Sequence, residues 1–296
     1  MDGMRILCIA ALFCLAAVAA SAQTSFTVFD GTGRTSSVDS IVATAADNDV
    51  VFLGEMHDDA VAHQLQLEIF KKIIEKYSGS RTVILSLEMF ERDVQTVLNE
   101  YLSGQISEQH FLLSSRPWPN YKTDYRPLVE LAKDRKIAVV AANAPRRYVN
   151  MVSRLGRESL LGLSPEAKSW LPPLPVPEPS KAYVDKFNAL MGGSPESIAA
   201  AKPIIFSQAL WDASMAYRIA EALNSGKRPL VVHLNGAFHT EKRLGTVEYL
   251  AHYRKEARAM VVTMLYEENF GSFDAAKHQG LGDFVVLTDT KVPRSR

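Results

Sequence analysis

The stretch Asn48-Asp-Val-Val-Phe-Leu-Gly-Glu-Met-His-Asp-Asp59 decides the fold of this chain. Its apolar run from Val50 to Leu53 indicates a buried strand, because β-branched and aromatic residues suit a pleated surface that is covered on both sides. Gly54 ends the run and permits a tight turn. Glu55 and His57 follow at the carboxyl end of the strand, which is where open α/β sheets bind their ligands. The stretch therefore predicts a central strand and a functional site together.

Six more short segments have the composition of strands, and helical patterns lie between most of them. They are Phe26–Phe29, Thr82–Leu87, Ile137–Ala142, Pro229–Leu234, Ala259–Leu265 and Phe284–Leu287. Strands that alternate with helices predict right-handed βαβ units with parallel strands. We therefore expect an α/β fold with a mostly parallel central sheet flanked by helices, in which the first segment is an edge strand.

The segment from about residue 145 to 225 is far longer than the crossover helix that two parallel strands need. It combines several helical patterns with a proline-rich run from Trp170 to Pro179, which cannot continue a helix. We expect residues 23–296 to form one α/β domain, in which this segment is a helical insertion that caps the carboxyl edge of the sheet.

The first 22 residues have the pattern of a signal peptide. Arg5 supplies the positive charge, the apolar run Ile6 to Ala20 is too short for an ordinary membrane span, and Ala20-Ser-Ala22 is a small-x-small cleavage site. Cleavage after Ala22 predicts a periplasmic or secreted protein. A lipoprotein anchor is not expected, because the bulky Phe13 stands directly before Cys14.

Composition narrows the chemistry of the mature protein. Both cysteines, Cys8 and Cys14, lie in the predicted signal peptide, so no disulfide, thiolate nucleophile or cysteine metal ligand is expected after cleavage. The 33 basic and 33 acidic residues balance, which argues against a nucleic-acid partner.

Polar residues follow four of the predicted strands at the point where each strand ends. They are Glu55 with His57, Glu88, Asn143, and Asn235 with His239. In a parallel sheet these ends meet at one edge, although they are scattered along the chain. A Gly-x-x-His pattern occurs there twice, from Gly54 and from Gly236. The sequence therefore predicts one shared site.

Two imidazoles with one or two carboxylates suit a divalent metal ion that keeps an open position for water. The same residues can act without metal, with a glutamate holding a histidine as general base. The structural alternative is that His57 and His239 cap helices while Glu55 pairs with Arg92 or Arg146.

An aromatic and basic cluster precedes the helical pattern that begins near residue 126. It contains Trp118, Tyr121, Tyr125 and Arg126. Aromatic rings beside arginine suit a flat ligand that carries carboxylates, and a tyrosine phenolate can bind ferric iron. Core packing with satisfied hydroxyls is the alternative. Arg146, at a predicted helix start, is either an anion-binding residue or solvated surface.

These residues together resemble the ChaN-like family of haem-binding uptake proteins, in a superfamily with the TraB and Tiki proteins and, more distantly, erythromycin esterase. The resemblance spans nearly the whole mature chain. It rests on Val51-Phe-Leu-Gly-Glu-Met-His-Asp58, Leu85-Ser-Leu-Glu-Met-Phe-Glu-Arg92, Trp118-Pro-Asn-Tyr-Lys-Thr-Asp-Tyr-Arg-Pro-Leu-Val-Glu130, Val139-Val-Ala-Ala-Asn-Ala-Pro-Arg146 and Val231-Val-His-Leu-Asn-Gly-Ala-Phe-His239.

The resemblance implies haem or iron handling outside the cytoplasm, with haem as the cofactor and a tyrosine as its ligand in a pocket that two subunits can share. Tyr121, Tyr125, Tyr148 and Tyr183 are the candidate tyrosines, and Arg126 and Arg146 the candidate basic partners. A homodimer formed on haem binding and envelope transport components are the expected partners.

The Tiki-like relatives imply a different activity. They resemble this chain in the two Gly-x-x-His motifs and a separate glutamate, and they are regarded as metal-dependent hydrolases. By that comparison His57, Glu88 and His239 are ligands of a divalent metal ion or close supports of such ligands. Glu55 is then a base or a ligand, and Glu55 and His57 are the catalytic residues of the hydrolase. Haem binding is the leading prediction and metal-dependent hydrolysis is the alternative.

Overall fold

The structure is a computed structural model that describes residues 25–295, so the predicted signal peptide lies outside the described residues. Within this range seven strands form one sheet. The strands are β1 (Phe26–Asp30), β2 (Val50–Glu55), β3 (Val83–Glu91), β4 (Ala138–Asn143), β5 (Leu230–Gly236), β6 (Ala259–Glu267) and β7 (Phe284–Asp289). Their order across the sheet is β1-β7-β6-β2-β5-β3-β4.

All neighbouring strands in this sheet run parallel except β1, which pairs antiparallel with β7 at one edge. The predicted α/β fold with a mostly parallel sheet and flanking helices is therefore confirmed, as is the position of the first strand. Strand β2 lies between β5 and β6, and all six of its residues are buried, as its apolar sequence predicts.

Eleven α-helices accompany the sheet in the described part of the chain. They are α1 (Val38–Thr44), α2 (Ala60–Tyr77), α3 (Gln95–Leu102), α4 (Glu108–Ser115), α5 (Arg126–Asp134), α6 (Arg146–Leu155), α7 (Pro165–Ser169), α8 (Lys181–Leu190), α9 (Pro195–Ala222), α10 (Thr246–Tyr253) and α11 (Ala275–His278). None of them is long and apolar enough to cross a membrane.

Helices cover both faces of the sheet. On one face α2 contributes Ile69, Phe70 and Ile73, which are fully buried. On the other face α9 packs small residues such as Ala213 and Ala216 against the sheet. Burying one large aliphatic or aromatic side chain contributes roughly 1.5–3 kcal/mol, so an extensive core of this kind can hold the described chain without a disulfide.

The segment expected to be a cap, residues 145–225, has two roles in the structure. Phe187, Leu190 and Trp211 line a cavity beyond the carboxyl ends of the strands, as a cap would. The carboxyl half of α9 instead lies on the sheet and forms part of its core. The apolar, alanine-rich stretch of α9 explains this second role, because small side chains let a helix approach a sheet closely.

Strand β3 contains an irregularity that shapes the carboxyl edge. Leu87 is paired with Ala141, but the next pair joins Glu91 to Asn143, so three residues of β3 stand opposite one residue of β4. Such a bulge bends a strand and redirects side chains. Glu88 and Met89, in the bulge, line the cavity.

The loop between β2 and α2 is held by hydrogen bonds to strand β7 and to the last residues of the described chain. Asp59 caps α2 by accepting hydrogen bonds from the N–H groups of Val61 and Ala62, and its other oxygen accepts the hydroxyl hydrogen of Thr288. Arg294 donates to both carboxylate oxygens of Asp58, at 2.8 and 2.7 Å. The N–H of Ser295 donates to the carbonyl of Asp58, at 2.9 Å.

Candidate functional site

A cavity of about 780 Å³ lies at the carboxyl edge of the sheet. Its polar lining includes His57 after β2, Glu88 in β3, Asn143 at the end of β4 and His239 after β5. The structure thus brings together side chains from four strand ends, as the parallel arrangement predicts. Asn235 is buried behind them, where its amide donates to the carbonyl of Gly236.

His57 presents an accessible imidazole to this cavity. Its side chain is 45% exposed, and its Nδ1 lies 3.0 Å from Oε1 of Glu55. The ring also meets Trp118 edge to face, with 4.8 Å between the ring centroids. Because the carboxylate holds Nδ1, the other ring nitrogen, Nε2, is left for a ligand in the cavity.

Glu55 is buried and is surrounded by hydrogen-bond donors. Besides His57, the hydroxyl of Tyr125 donates to Oε1 at 2.6 Å, the amide of Gln66 donates to Oε2 at 2.7 Å, and Nδ1 of His63 lies 3.3 Å from Oε2. Burial opposes ionisation, but the hydrogen bonds from His57 and His63 outweigh it and lower the pKa of Glu55 to about 2.

His63 carries the compensating charge. Burial opposes its protonation, yet the hydrogen bond and the charge of Glu55, together with Asp124 at 3.4 Å, raise its pKa to about 9. Glu55 is therefore a carboxylate that a buried imidazolium supports from behind while it holds His57 in front. The same balance raises the pKa of His57: burial opposes its protonation, but the hydrogen bond to Glu55 outweighs it.

A second histidine and carboxylate pair borders the cavity. Nδ1 of His239 lies 2.9 Å from Oδ1 of Asp212, which also accepts the hydroxyl hydrogen of Thr246. Burial opposes protonation of His239, but Asp212 and Glu88 outweigh it and raise the pKa to about 9. Unlike His57, this imidazole is nearly enclosed, with its side chain 8% exposed.

Gly236 keeps the space beside His57 clear. A Cβ at this position would stand 2.8 Å from Nε2 of His57 and 3.7 Å from Cδ2 of His239. Its backbone, with φ −60° and ψ 135°, is open to any residue, and its N–H donates to Glu88 at 2.7 Å. The requirement for glycine is therefore one of space and not of backbone conformation.

This close approach predicts that Gly236→Ala shields the imidazole of His57. We expect carbethoxylation of His57 by diethyl pyrocarbonate, followed by peptide mass spectrometry, to slow by about tenfold because the added methyl group overpacks the site. Gly79→Ala is the control, since a Cβ at Gly79 meets nothing within 4 Å. An unchanged rate in Gly236→Ala would mean that Nε2 is approached from another side.

The structure does not bring the tyrosines proposed as haem ligands into the cavity. Tyr121 and Tyr125 are buried in the core, and Tyr183 donates its hydroxyl hydrogen to Asp212. Tyr148 stacks on Trp170 outside the cavity lining. Burial raises the pKa of the first three phenols, and nearby carboxylates add to the effect for each of them. These phenols therefore resist the ionisation that iron binding requires.

Of the two arginines proposed to bind haem, one lies outside the cavity and the other lines it. Arg126 lies outside the cavity lining, where it pairs with Glu108. Arg146 lines the cavity.

The pairing of Glu55 with Arg92 or Arg146 that the sequence left open is wrong, because Glu55 is bound by histidine, glutamine and tyrosine side chains. Helix α2 is capped by Asp59 and not by His57.

The metal-ligand set inferred from the sequence, His57, Glu88 and His239, borders one cavity. Oε1 of Glu88 lies 3.7 Å from Nε2 of His239. Within residues 25–295, however, no three histidine, cysteine, aspartate or glutamate side chains form a group that could hold a metal ion. The metal-dependent alternative therefore gains no support from the geometry.

Gln66 and Asp212 are site residues that the sequence reading missed. Both lie on helices at positions otherwise occupied by buried apolar residues: Gln66 is three residues before Ile69, and Asp212 is three residues after Ala209. A polar residue in the apolar stripe of a helix must find a buried partner. That break in the pattern is the signal that could have identified them.

Comparisons with known proteins agree with this fold. The model of the family described as "Haem-binding uptake, Tiki superfamily, ChaN" matches residues 41–250. ChaN of Campylobacter jejuni, whose structure is described as cofacial haem binding, superposes with a TM-score of 0.66 at 20% identity, covering 90% of this chain and 98% of that one. A Bacillus cereus protein superposes with a TM-score of 0.51 at 13% identity, covering 88% and 93%.

Among curated proteins, RETICULATA-RELATED 5, chloroplastic, of Arabidopsis thaliana is 25% identical over 210 residues, or 65% of this chain. The chain spans 27% of the length of that relative. The two solved structures, at their low identities, establish similarity of fold alone.

Proposed function

The chain belongs to the haem-binding uptake family of the Tiki superfamily, ChaN, and from this premise we propose that it binds haem in the cavity at the carboxyl edge of its sheet. Its role is haem or iron uptake and handling outside the cytoplasm. The predicted signal peptide, with cleavage after Ala22, supports export. A homodimer formed on haem binding and envelope transport components stay predictions.

The observation that carries this proposal is the imidazole of His57 in a largely apolar cavity. Trp118, Trp211 and Phe238 provide the flat apolar surfaces that suit a macrocycle. Glu55 holds Nδ1 of His57, and Gly236 leaves the space beside Nε2 clear. The donor set therefore fits an iron porphyrin with a histidine ligand, which is one of the axial ligands found in haem proteins.

We assign the ligand to His57 and not to a tyrosine. The candidate phenols Tyr121, Tyr125 and Tyr183 are enclosed, and their pKa values are raised, which disfavours tyrosinate. His57 is accessible, and its bond to a carboxylate increases its strength as a ligand. Bound haem supplies the iron that is carried, and the protein binds it, orients it and covers its apolar face.

A haemin titration of the mature protein, residues 23–296, followed by absorbance, tests the proposal. We expect a saturable shift of the Soret band and a spectrum of histidine-ligated ferric haem, without the charge-transfer band of a ferric tyrosinate. A featureless titration would contradict haem binding. A saturable titration with the tyrosinate band would keep haem binding and reject His57 as the ligand.

A further inference from the structure

The edge of the sheet opposite the cavity is strongly basic. The amino ends of five adjacent parallel strands, in the order β6-β2-β5-β3-β4, lie there. The loops that lead into these strands are residues 48–49, 78–82, 135–137, 223–229 and 254–258. Together they contain eight basic and two acidic residues, a formal net charge of +6 in a chain whose total charge is balanced. We call these five loops the basic edge.

Most of the cations of the basic edge have no partner of opposite charge. Five of them are exposed, and within residues 25–295 their side chains form no ion pair or hydrogen bond: Arg135, Lys136, Lys227, Arg228 and Lys255. Asp49 lies 3.8 Å from Arg81 and 3.6 Å from Arg258, so its charge is already shared. Burial lowers the pKa of Arg81, and the charges of Arg228 and Arg258 add to this effect. These cations therefore repel one another.

Helix ends account for only part of this charge. Helices α2, α5, α9 and α10 end at this edge, and a helix dipole favours cations in the last turn of its helix. Lys227 and Arg228, however, stand five and six residues beyond the last residue of α9, and Arg258 stands five residues beyond that of α10. The dipole effect does not reach that far. A negatively charged partner would relieve the repulsion.

The basic edge fits an anionic lipid surface better than a protein partner. Five strands with a spacing of about 4.8 Å give it a width of about 20 Å. Among residues 25–295, none of the exposed large apolar side chains lies in these five loops. Protein interfaces depend on a core rich in apolar and aromatic residues, whereas anionic lipid headgroups attract clustered lysines and arginines by charge alone.

We propose that the basic edge binds the surface of a membrane that contains anionic phospholipids. The predicted export of the chain gives it access to such surfaces. In this orientation the amino ends of the strands face the headgroups, and the cavity at the carboxyl ends opens away from the lipid. The association needs no haem and is therefore independent of the proposed function.

Co-sedimentation with lipid vesicles tests this surface. Residues 23–296 should bind vesicles of equal parts phosphatidylcholine and phosphatidylglycerol, and should not bind vesicles of phosphatidylcholine alone. The binding should be lost at about 1 M salt, where the Debye length is about 3 Å. The double variant Lys227→Gln, Arg228→Gln should bind about 25-fold more weakly, since each cation near an anionic surface contributes about fivefold.

The matched control is the double variant Lys122→Gln, Lys291→Gln, which removes the same charge from exposed positions outside the basic edge. It should bind as tightly as the unaltered protein. Arg135→Gln with Lys136→Gln tests the same edge before β4 if the first variant does not fold. The absence of salt-sensitive binding to the anionic vesicles would overturn the proposal, as would an equal loss of binding in the control variant.

Discussion

His57→Ala should raise the dissociation constant for haemin by at least about 100-fold, since even groups that only support a metal ligand contribute 10- to 100-fold to metal affinity. The imidazole is accessible and held at Nδ1 by Glu55, so its removal takes away the side chain that we propose as the iron ligand. Fold stability should change little, because the side chain is nearly half exposed.

Absorbance titrations of residues 23–296 with haemin measure this effect, and thermal unfolding without haemin verifies the fold. His110→Ala provides the control, because His110 is exposed on α4 and does not line the cavity. If His57→Ala retains the affinity and the Soret position of the unaltered protein, another side chain holds the iron, and the role assigned to His57 is wrong.

Glu55→Gln should lower the free energy of unfolding by about 3–5 kcal/mol, the usual cost of removing one partner from a buried ion pair. Glu55 accepts hydrogen bonds from His57, Gln66 and Tyr125 and faces the imidazolium of His63. An amide has one acceptor oxygen and turns an NH₂ group toward these donors. The change is therefore not conservative at this position.

The effect should depend on pH in a defined window. The pKa of Glu55 is lowered from 4.5 to about 2, so its contribution is complete above pH 4.5 and is lost as the pH falls through about 2. The pKa of His63 is raised from 6.5 to about 9, so its contribution is complete below pH 6.5 and is lost as the pH rises through about 9. The destabilisation by Glu55→Gln should therefore be largest between pH 4.5 and pH 6.5, where both contributions are complete.

Urea unfolding at several pH values gives the required free energies. Glu68→Gln on the exposed side of α2 serves for comparison, because Glu68 takes part in a solvent-exposed pair with Lys72 that contributes at most about 1 kcal/mol. A loss in Glu55→Gln no larger than that in Glu68→Gln would show that the donors around residue 55 are satisfied by water instead.

The convergence of His57, Glu88, Asn143 and His239 could be predicted from the sequence for a physical reason. Parallel strands place their carboxyl ends at one edge, so residues that follow buried strands share that edge whatever their separation along the chain. The bulge in β3 adds to this by turning Glu88 toward the cavity, and bulges have no clear signature in a single sequence.

The roles of the tyrosines could not be predicted in the same way. Residues Tyr121–Tyr125 form a π-helical turn, and this turn directs Tyr125 to Glu55 instead of to the cavity. An aromatic residue near arginine has the same sequence pattern whether its ring enters the core or lines a pocket. Only the orientation of the turn distinguishes the two, and it depends on packing between distant segments.

The attachment of Arg294 and Ser295 to Asp58 has a practical consequence for handling this protein. A purification tag or fluorescent fusion joined after Arg296 would begin close to this attachment and can disturb the loop that contains His57. Measurements on such a fusion would then mix the properties of the cavity with those of the label. A removable tag on the amino-terminal side, ahead of β1, leaves the contacts of Arg294 and Ser295 with Asp58 intact.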